Sequence, residues 1–281
     1  MHFVKYQGLG NDYLVTESAK LRGPLAPEGI RRICDRHYGV GSDGIIVRQP
    51  DKEEGVFSVH IFNPDGSWVE KSGNGLRIFS RYLWDRGEVG ETPFKVHTPG
   101  GTVTCRVLDE GKNVTVEMGP AVFDSARIPA AGPPREILRE DLEIGDRVVE
   151  VSAVSMGNPH CAVHCDHVSE EEAKALGPLV ENHRLFPSRT NVQFMEILDR
   201  KNIKIEIWER GAGYTLASGS SSCAVSAVAH RLDHCDADVI VHMPGGELRI
   251  EIGDGYQMRL TGPVGKVMEA EVGQEVTEEI K

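Results

Sequence analysis

The chain has 281 residues and a mass of 30.9 kDa, the size of one large domain or two modest ones, which excludes a mini-protein held together by disulfides or metal ions. Its 31 basic and 43 acidic residues give a formal net charge of −12 without a basic cluster, and this balance argues against nucleic acid or an anionic membrane as a partner. A hydrophobic content of 40% excludes a wholly disordered chain.

Short segments in which hydrophobic and polar residues alternate predict that strands dominate the chain. In chain order, the predicted strands cover residues 44–47, 57–62, 102–107, 113–118, 148–155, 202–208, 239–242, 248–252 and 258–261. Helices are predicted over residues 27–36, 75–85, 170–176 and 222–232, and the last is rich enough in alanine and valine to be buried on all sides. We therefore expect an α/β (α+β) fold in which β-structure surrounds a few helices.

The beginning of the chain and its cysteines bear on location and metal binding. Residues 1–5 do not start a secretory signal, and no run of 18 apolar residues occurs, so we expect a cytoplasmic protein. Six scattered cysteines fit a reduced compartment. Cys161 and Cys165 are spaced like a possible zinc pair, but no second pair follows them, and we expect neither a metal nor a cofactor.

A weak internal repeat is visible in two short motifs. Ser72-Gly73-Asn74-Gly75 opens one predicted helix, and Ser218-Gly219-Ser220-Ser221 opens another 146 residues later, close to half the chain length. A duplicated domain is the simplest cause. Two helix N-termini at equivalent points would offer N–H groups to a carboxylate, although each motif taken alone is first of all an ordinary helix cap.

Compact polar clusters recur where strands are expected to end. Most contain asparagine or aspartate next to glycine or proline, which is turn chemistry, yet asparagine amides also bind amino-acid head groups without adding charge. The clusters are Gly8-Leu9-Gly10-Asn11-Asp12, Gly41-Ser42-Asp43-Gly44, Asn63-Pro64-Asp65-Gly66-Ser67, Gly157-Asn158-Pro159-His160 and Arg189-Thr190-Asn191.

Taken in order, these motifs, with Ser72-Gly73-Asn74-Gly75-Leu76-Arg77, Glu209-Arg210-Gly211-Ala212-Gly213 and Ala217-Ser218-Gly219, resemble diaminopimelate epimerase from residue 5 to about residue 224. The resemblance implies two pseudo-symmetric lobes, each a curved, mostly antiparallel sheet around a central helix. The expected lobes are residues 1–120, completed by a returning strand at about 267–281, and residues 121–266. It also implies a homodimer and a small-molecule amino-acid substrate.

In that family two cysteines face the substrate α-carbon as thiolate base and thiol acid, and their positions are occupied here by Ser72 and Ser218. A serine hydroxyl is far less acidic than a thiol, whose pKa is about 8.5. Three explanations remain open: deliberate replacement of the cysteines, a divergent enzyme with activated serines, or a protein that keeps the site without turnover. Lys71 and Ser220-Ser221-Ser222 also depart from the family pattern, which favours a natural variant.

The resemblance assigns further site residues position by position. It implies catalytic roles for Ser72, Ser218, His160 and Glu209, with His160 as a candidate for the missing base. Arg210 would bind a distal carboxylate through its guanidinium group. The remaining implied substrate-binding residues are Asn11, Ser42, Asn63, Gly73, Asn74, Asn158, Asn191, Gly219 and Ser220.

The function implied is pyridoxal-independent conversion of LL- to meso-diaminopimelate in lysine and peptidoglycan precursor supply. The alternatives are a racemase of another amino acid and a homologue that binds a diamino acid or related ligand without turnover. A phenazine-pathway isomerase is less compatible with the sequence because Gly73-Asn74-Gly75 stands where that group has a Gly-His-Pro turn.

Overall fold

The computed structural model describes residues 1–21 and 23–273, which form 18 strands and four α-helices. The helices are α1 (Pro27–Cys34), α2 (Gly73–Asp85), α3 (Glu170–Glu181) and α4 (Gly219–Arg231). Four single-turn 3₁₀ helices lie at Ser18–Lys20, Asp109–Gly111, Ser125–Arg127 and Asp254–Tyr256.

The strands are short and close together along the chain. The first nine are β1 (His2–Gly8), β2 (Asn11–Glu17), β3 (Ile45–Glu53), β4 (Val56–Phe62), β5 (Trp68–Val69), β6 (Phe94–Thr98), β7 (Gly101–Leu108), β8 (Asn113–Pro120) and β9 (Glu140–Ile144). The other nine are β10 (Arg147–Ser155), β11 (Pro159–His164), β12 (Asn191–Asp199), β13 (Asn202–Glu209), β14 (Gly213–Thr215), β15 (Asp238–Met243), β16 (Gly246–Gly253), β17 (Gln257–Pro263) and β18 (Gly265–Glu271).

The chain divides into two compact units. Unit 1 contains Met1–Val116 together with residues 262–273, and unit 2 contains Glu117–Thr261. The C-terminal strand β18 pairs antiparallel with β1, so the end of the described chain belongs to the sheet of unit 1. The segment expected to return at about 267–281 is thus described as far as residue 273, and residues 274–281 lie outside the described residues.

The two units repeat one strand order. In unit 1, β1 and β2 pair antiparallel, β2 and β3 parallel, β3 and β4 antiparallel, and β4 and β6 parallel. In unit 2, the same sequence of pairings runs through β10, β11, β12, β13 and β15. One helix lies between the second and third strands of each series, and another follows a short strand, β5 or β14, that pairs with the fourth. The repeat expected from the two serine motifs is therefore present in the topology.

Hydrophobic periodicity predicted some elements better than others. Helix α4 is buried at ten of its thirteen positions, as its alanine and valine content predicts. Strand β12 was not predicted because its first five residues are all buried, and a strand covered on both faces shows no alternation. Helix α2 begins two residues and helix α4 three residues before the predicted segments, because their first turns consist of small residues without hydrophobic periodicity.

Each unit has its own hydrophobic core. In unit 1, Ile30 and Ile33 of α1 pack with Phe3, Leu14 and Ile45 of the sheet. In unit 2, α3 contributes residues such as Leu176 and Val180 to a cluster on the sheet that includes strands β10 to β12. None of the helices formed by the described residues combines the length and hydrophobicity needed to cross a bilayer.

Candidate active site

The implied site residues of unit 1 lie where several elements begin or end. Asn11 is the first residue of β2, whose parallel neighbour β3 begins at Ile45. The antiparallel β4 ends at Phe62, directly before Asn63. Because parallel strands start at the same edge of a sheet and an antiparallel strand ends there, these termini share one edge of the sheet. The sequence motifs of this half therefore lie together.

Ser72 caps the N-terminus of α2. Its backbone is extended, with φ −130° and ψ 121°, and its Oγ accepts a hydrogen bond from the Gly75 N–H at 3.1 Å. The Gly75 position is closely packed: a Cβ there would lie 2.9 Å from Ile61 Cδ1 and 3.3 Å from Ser72 Cβ, so a larger residue requires the Ile61 side chain to shift. Glycine at this point allows the helix start to pack against β4. The Ser72 side chain is partly exposed and its hydroxyl is fixed by the cap.

A chain of polar side chains leads from α2 through the start of β2. Asn74 Nδ2 donates to Asn11 Oδ1 at 3.1 Å, and Asn11 Nδ2 donates to Asp43 Oδ2 at 3.1 Å. Asp43 also accepts from the Asp12 N–H and from Arg36, at 3.0 and 2.7 Å. Asn11 therefore connects the helix start to an ionic cluster, and both ends of its amide are engaged.

Arg77 lies at the inner end of this chain and is completely buried. Its guanidinium donates to Asn74 Oδ1 and to the Pro263 carbonyl, each at 2.6 Å, while its Nε has no partner among the described residues. No carboxylate in the described part of the chain pairs with Arg77, and burial lowers its pKa to about 10. At neutral pH a buried cation therefore lies beneath the first turn of α2.

Two cationic side chains surround Asp12 at the outer end of this series of polar side chains. Burial by itself would raise the pKa of Asp12, but hydrogen bonds from Arg36 and Lys5 outweigh burial and hold the pKa below its usual value. Arg36 binds Asp12 Oδ1 at 2.7 Å, and Lys5 binds Oδ2 at 2.5 Å. The carboxylate therefore stays ionised at neutral pH and anchors the loop that carries Asp43.

Ser42 and Asn63 are held mainly by their own loops. Ser42 is buried, and its hydroxyl donates to the Gly44 carbonyl at 2.9 Å. Asn63 donates to Ser67 Oγ at 3.0 Å within the turn that follows β4. These contacts give both residues a structural role, and the substrate contacts implied for them stay predictions.

Unit 2 repeats this arrangement. Strands β11 and β12 begin side by side in parallel, with His160 opposite Asn191, and the antiparallel β13 ends at Glu209. Ser218 caps α4 in an extended conformation, with φ −146° and ψ 123°, and its Oγ accepts from the Ser221 N–H at 3.4 Å. The two serines thus occupy equivalent positions in the repeat, but Ser218 is buried whereas Ser72 is partly exposed.

His160 is completely buried and faces two carboxamides. Its Nε2 lies 3.0 Å from Asn158 Oδ1, and the Gln193 amide lies near enough to influence its pKa. Burial lowers the pKa of His160 to about 3, against a smaller opposing effect of Gln193. The ring is therefore neutral near pH 7 and is a much weaker base than an exposed histidine. The expected role of His160 as the missing base stays a prediction.

Asn191 joins the other strand ends of unit 2. Its Nδ2 donates to the Pro159 carbonyl at 2.9 Å, and its Oδ1 accepts from the Arg210 N–H at 3.0 Å. The Arg210 side chain is exposed and donates to the Ser188 carbonyl at 3.3 Å. Asn191 therefore fixes the turn that carries Glu209 and Arg210 relative to His160. The ligand contacts implied for these residues stay predictions.

Four residues important to this geometry received no role from the sequence: Asp43, Arg77, Gln193 and Ser221. The sequence signal was their position, since each lies inside or close to a motif that was recognised.

The cysteine thiols bear on whether another residue supplies a catalytic thiolate. Burial raises the pKa of Cys34 and Cys161, and raises that of Cys165 to about 11 and that of Cys235 to about 12. These four thiols are protonated at neutral pH and do not replace a catalytic thiolate.

The described residues contain no group of three or more histidine, cysteine or acidic side chains arranged to hold a metal ion. In both units the chemical groups at the helix starts are hydroxyls, amides and backbone N–H groups. Such groups can bind the ammonium and carboxylate ends of an amino acid and stabilise charge that develops next to a carboxylate.

Comparison with known proteins shows the family to which the sequence is similar. The family model for diaminopimelate epimerase matches residues 3–124 and 152–267. Diaminopimelate epimerase 2 from Nostoc sp. strain PCC 7120 is 51% identical over 276 residues, covering 98% of this chain and 97% of the relative. Diaminopimelate epimerase from Pelotomaculum thermopropionicum is 39% identical, with 96% and 98% coverage.

A solved structure of a hydroxyproline epimerase from Agrobacterium vitis matches with a TM-score of 0.72 at 13% identity, over 98% of this chain and 92% of that one. At this identity the likeness shows that the fold is shared, which agrees with the pseudo-symmetric lobes expected from the sequence. Because the family model matches most of the chain and the two relatives match nearly all of it, we conclude that the chain belongs to the diaminopimelate epimerase family.

Proposed function

We propose that this protein is an amino-acid epimerase that interconverts LL- and meso-diaminopimelate without a pyridoxal cofactor. The observation that carries the proposal is the equivalent placement of Ser72 and Ser218 as N-caps of the central helices in two repeated units. Family membership supports the substrate and the reaction. In this proposal the units carry the two acid/base groups, one in each.

The reaction requires a base to remove the α-proton from one face and an acid to return a proton to the other. The electron pair left on the α-carbon is delocalised into the α-carboxylate, and N–H groups at the helix starts stabilise the added negative charge. Gly73 and Gly219 are the first residues of these helices, and Asn74 and Ser220 follow them. Ser72 and Ser218 would exchange the protons, so each hydroxyl would act as acid in one direction and as base in the other.

The other site residues would hold the substrate. Glu209 would accept the ammonium next to the reacting carbon, and Arg210 would pair with the distal carboxylate. Asn11, Asn63, Asn158 and Asn191 would bind the distal amino-acid group, and Ser42 would make a lesser contact. His160 would contribute a neutral hydrogen bond, because its buried ring does not act as a strong base near pH 7.

A second function is favoured by the hydroxyls themselves. Serine is a poor base without activation, and both hydroxyls already serve as helix caps. The second candidate is therefore a homologue that binds a diamino acid or a related ligand without inverting it. A racemase of another amino acid is a further alternative within the same chemistry.

Proton NMR with LL-diaminopimelate in deuterated buffer separates these functions. Loss of the α-proton signal together with growth of the meso isomer supports the epimerase. If wild type binds LL-diaminopimelate without exchange and the double variant Ser72→Cys, Ser218→Cys gains exchange, the binding homologue is supported. If neither protein exchanges the α-proton nor binds the compound, the proposed substrate is wrong.

The chain offers a matched control for the cysteine variants. Ser80 and Ser226 lie eight residues beyond Ser72 and Ser218 in the same helices, and both are completely buried. Their hydroxyls donate to helix carbonyls, to Leu76 at 2.7 Å and to Ser222 at 2.8 Å. Ser80→Cys, Ser226→Cys should leave the exchange rate at the wild-type level, whereas thiols at positions 72 and 218 should raise it on the order of 100-fold.

We also propose that the protein works in the cytoplasm as a homodimer, in the supply of lysine and peptidoglycan precursors. The family resemblance supports this proposal, and exposed Val267 and Met268 on β18 offer apolar surface for association. Light scattering of the purified protein checks the dimer, because a monomer mass at micromolar concentration would contradict it.

A further inference from the structure

A buried polar network in unit 2 connects the first turn of α4 to His160. Gln193 on β12 lies between them, and Gln193, Ser221 and His160 are all completely buried. The Gln193 Nε2 atom lies 3.0 Å from Ser221 Oγ, and His160 Nε2 lies 3.0 Å from Asn158 Oδ1. Ser221 in turn donates its backbone N–H to Ser218 Oγ. The network therefore reaches from the capping hydroxyl of α4 to the strand end that carries Asn158.

Two atoms in the middle of this network lack hydrogen-bond partners. In the part of the chain that the structure describes, His160 Nδ1 and Gln193 Oε1 are buried and unpartnered. His160 pairs with Asn191 in the parallel register of β11 and β12, so Gln193, two residues further along β12, lies on the same face as His160, and its amide also acts on the pKa of the ring. Leaving a buried polar atom without a partner destabilises the folded state, because the hydrogen bonds that the atom made to water are not replaced. Two such atoms on neighbouring side chains therefore indicate a hydrogen bond between the two side chains.

The protonation state of the His160 ring determines which of these groups donates and which accepts. Near pH 7 the buried imidazole is neutral and carries one N–H, while two amide oxygens are available as acceptors: Asn158 Oδ1, 3.0 Å from Nε2, and the unpartnered Oε1 of the neighbouring Gln193. One N–H does not satisfy two acceptors. The two ends of a carboxamide have nearly the same shape, so a half-turn of the Gln193 side chain exchanges its oxygen and nitrogen.

That half-turn completes the network. The Ser221 hydroxyl then donates to Gln193 Oε1, the Gln193 NH₂ group donates to His160 Nδ1, and His160 Nε2–H donates to Asn158 Oδ1. The bond between His160 and Asn158 is kept at its observed length of 3.0 Å. Both unpartnered atoms gain partners, and every bond in the series has a defined direction.

We propose that Gln193, together with Ser221, is a positioning residue that fixes His160 in the tautomer protonated on Nε2. His160 then presents an N–H donor, and not a lone pair, to Asn158 and to the strand end that carries the implied substrate-binding residues. The catalytic meaning of this arrangement rests on the proposed function, but the tautomer is a property of the protein without substrate. The network also couples His160 to the helix turn that holds Ser218.

The tautomer is measured by long-range ¹H–¹⁵N NMR of protein labelled with ¹⁵N-histidine, with the His160 signal assigned by its absence from His160→Gln. We expect the pattern of a neutral ring protonated on Nε2, unchanged between pH 5 and 8, since a normal histidine titrates near 6.5. A ring protonated on Nδ1, with Asn158 turned in place of Gln193, would overturn the proposal. A ring that titrates in this range would overturn it as well.

Two substitutions in α4 provide a matched pair. Ser221→Ala removes the first donor of the network, whereas Ser226→Ala removes a buried hydroxyl that bonds only within the helix, to the Ser222 carbonyl. We expect the His160 ¹⁵N shifts to change in Ser221→Ala and to stay at their wild-type values in Ser226→Ala. Equal shifts in the two variants would show that the hydroxyl of Ser221 does not act on the ring.

Gln193→Glu tests the central residue by charge. A carboxylate next to Nδ1 favours the imidazolium form, so we expect the pKa of His160 to rise by about 2 units. Gln193→Leu, which has no polar end, should give a mixture of the two neutral tautomers. If the His160 signals of both variants equal those of wild type, Gln193 does not position the ring. None of these measurements requires turnover, so loss of the proposed activity and loss of the proposed network are distinguishable.

Discussion

The N-termini of α2 and α4 occupy the same place in the repeat and differ in what lies behind them. Both begin with an extended serine whose Oγ accepts an N–H from three residues later. Behind α2 lies Arg77, a buried cation that leads through asparagines to an ionic cluster. Behind α4, the equivalent position is Cys223, and the nearby network of Ser221, Gln193 and His160 is neutral.

This difference shows that the two units share the backbone geometry of the helix start while the electrostatics behind it differ. A helix N-terminus already favours an anion, and a buried positive charge beneath it strengthens that preference. We therefore expect the start of α2 to stabilise negative charge more strongly than the start of α4. In the proposed reaction, which needs an acid and a base, these unlike environments would give the two serines different roles.

The largest expected effect comes from removing the buried cation. Arg77→Ala leaves Asn74 Oδ1 and the Pro263 carbonyl without their donor and opens a cavity in unit 1. We expect a loss of unfolding free energy on the order of 4 kcal/mol, measured by urea denaturation. Cys223→Ala, at the equivalent buried position of α4, should cost on the order of 1 kcal/mol because it removes a single sulfur atom. Equal losses would refute the asymmetry.

The next test exchanges the residues that differ three positions after each serine. Gly75→Ser places a side chain against Ile61 and Ser72, where a Cβ has contacts of 2.9 and 3.3 Å, and should cost about 2 kcal/mol. Ser221→Gly removes the hydroxyl that bonds Gln193 and should cost about 1–2 kcal/mol. Thermal denaturation of both variants measures the two losses of stability. A stabilised Gly75→Ser would mean that the space beside Ser72 is not limiting.

Sequence reasoning identified the repeat and most of its elements but not this divergence. The motifs around Ser72 and Ser218 are local, and their small residues and caps can be recognised from the chain alone. The partners of these motifs are distant: Arg77 of α2 bonds the Pro263 carbonyl, 186 positions away, and Ser221 of α4 bonds Gln193 on strand β12. Periodicity describes which face of an element is buried, and it does not show which buried polar atoms meet. Strand β12 was missed for the related reason that it is buried on both faces.

The neutral network near α4 predicts a dependence of folding stability on pH, because it contains His160. The pKa of His160 is lowered to about 3 by burial, whereas in the unfolded chain it is near 6.5. Between these values the unfolded state binds more protons, so the stability contributed by this site falls as the pH decreases from about 6.5 towards 3. The slope should approach about 1.4 kcal/mol per pH unit.

Urea denaturation of wild type and His160→Gln across this range measures the contribution. We expect a shallower dependence on pH in His160→Gln, because glutamine carries no proton in either state. Identical slopes for the two proteins would mean that His160 is not held neutral in the folded state.

The smallest effect concerns the caps themselves and compares the two serines directly. Ser72 Oγ accepts from Gly75 at 3.1 Å, whereas Ser218 Oγ accepts from Ser221 at the longer distance of 3.4 Å. Since a hydrogen bond weakens as it lengthens, Ser72→Ala should cost about 1 kcal/mol and Ser218→Ala about half of that, as judged by thermal denaturation. Ser80→Ala and Ser226→Ala are matched controls, since their hydroxyls bond only to carbonyls of their own helices. If Ser218→Ala proves the more costly, the α4 hydroxyl is held more tightly than the α2 hydroxyl. The difference between the helix starts would then lie in the caps as well as in the charges behind them.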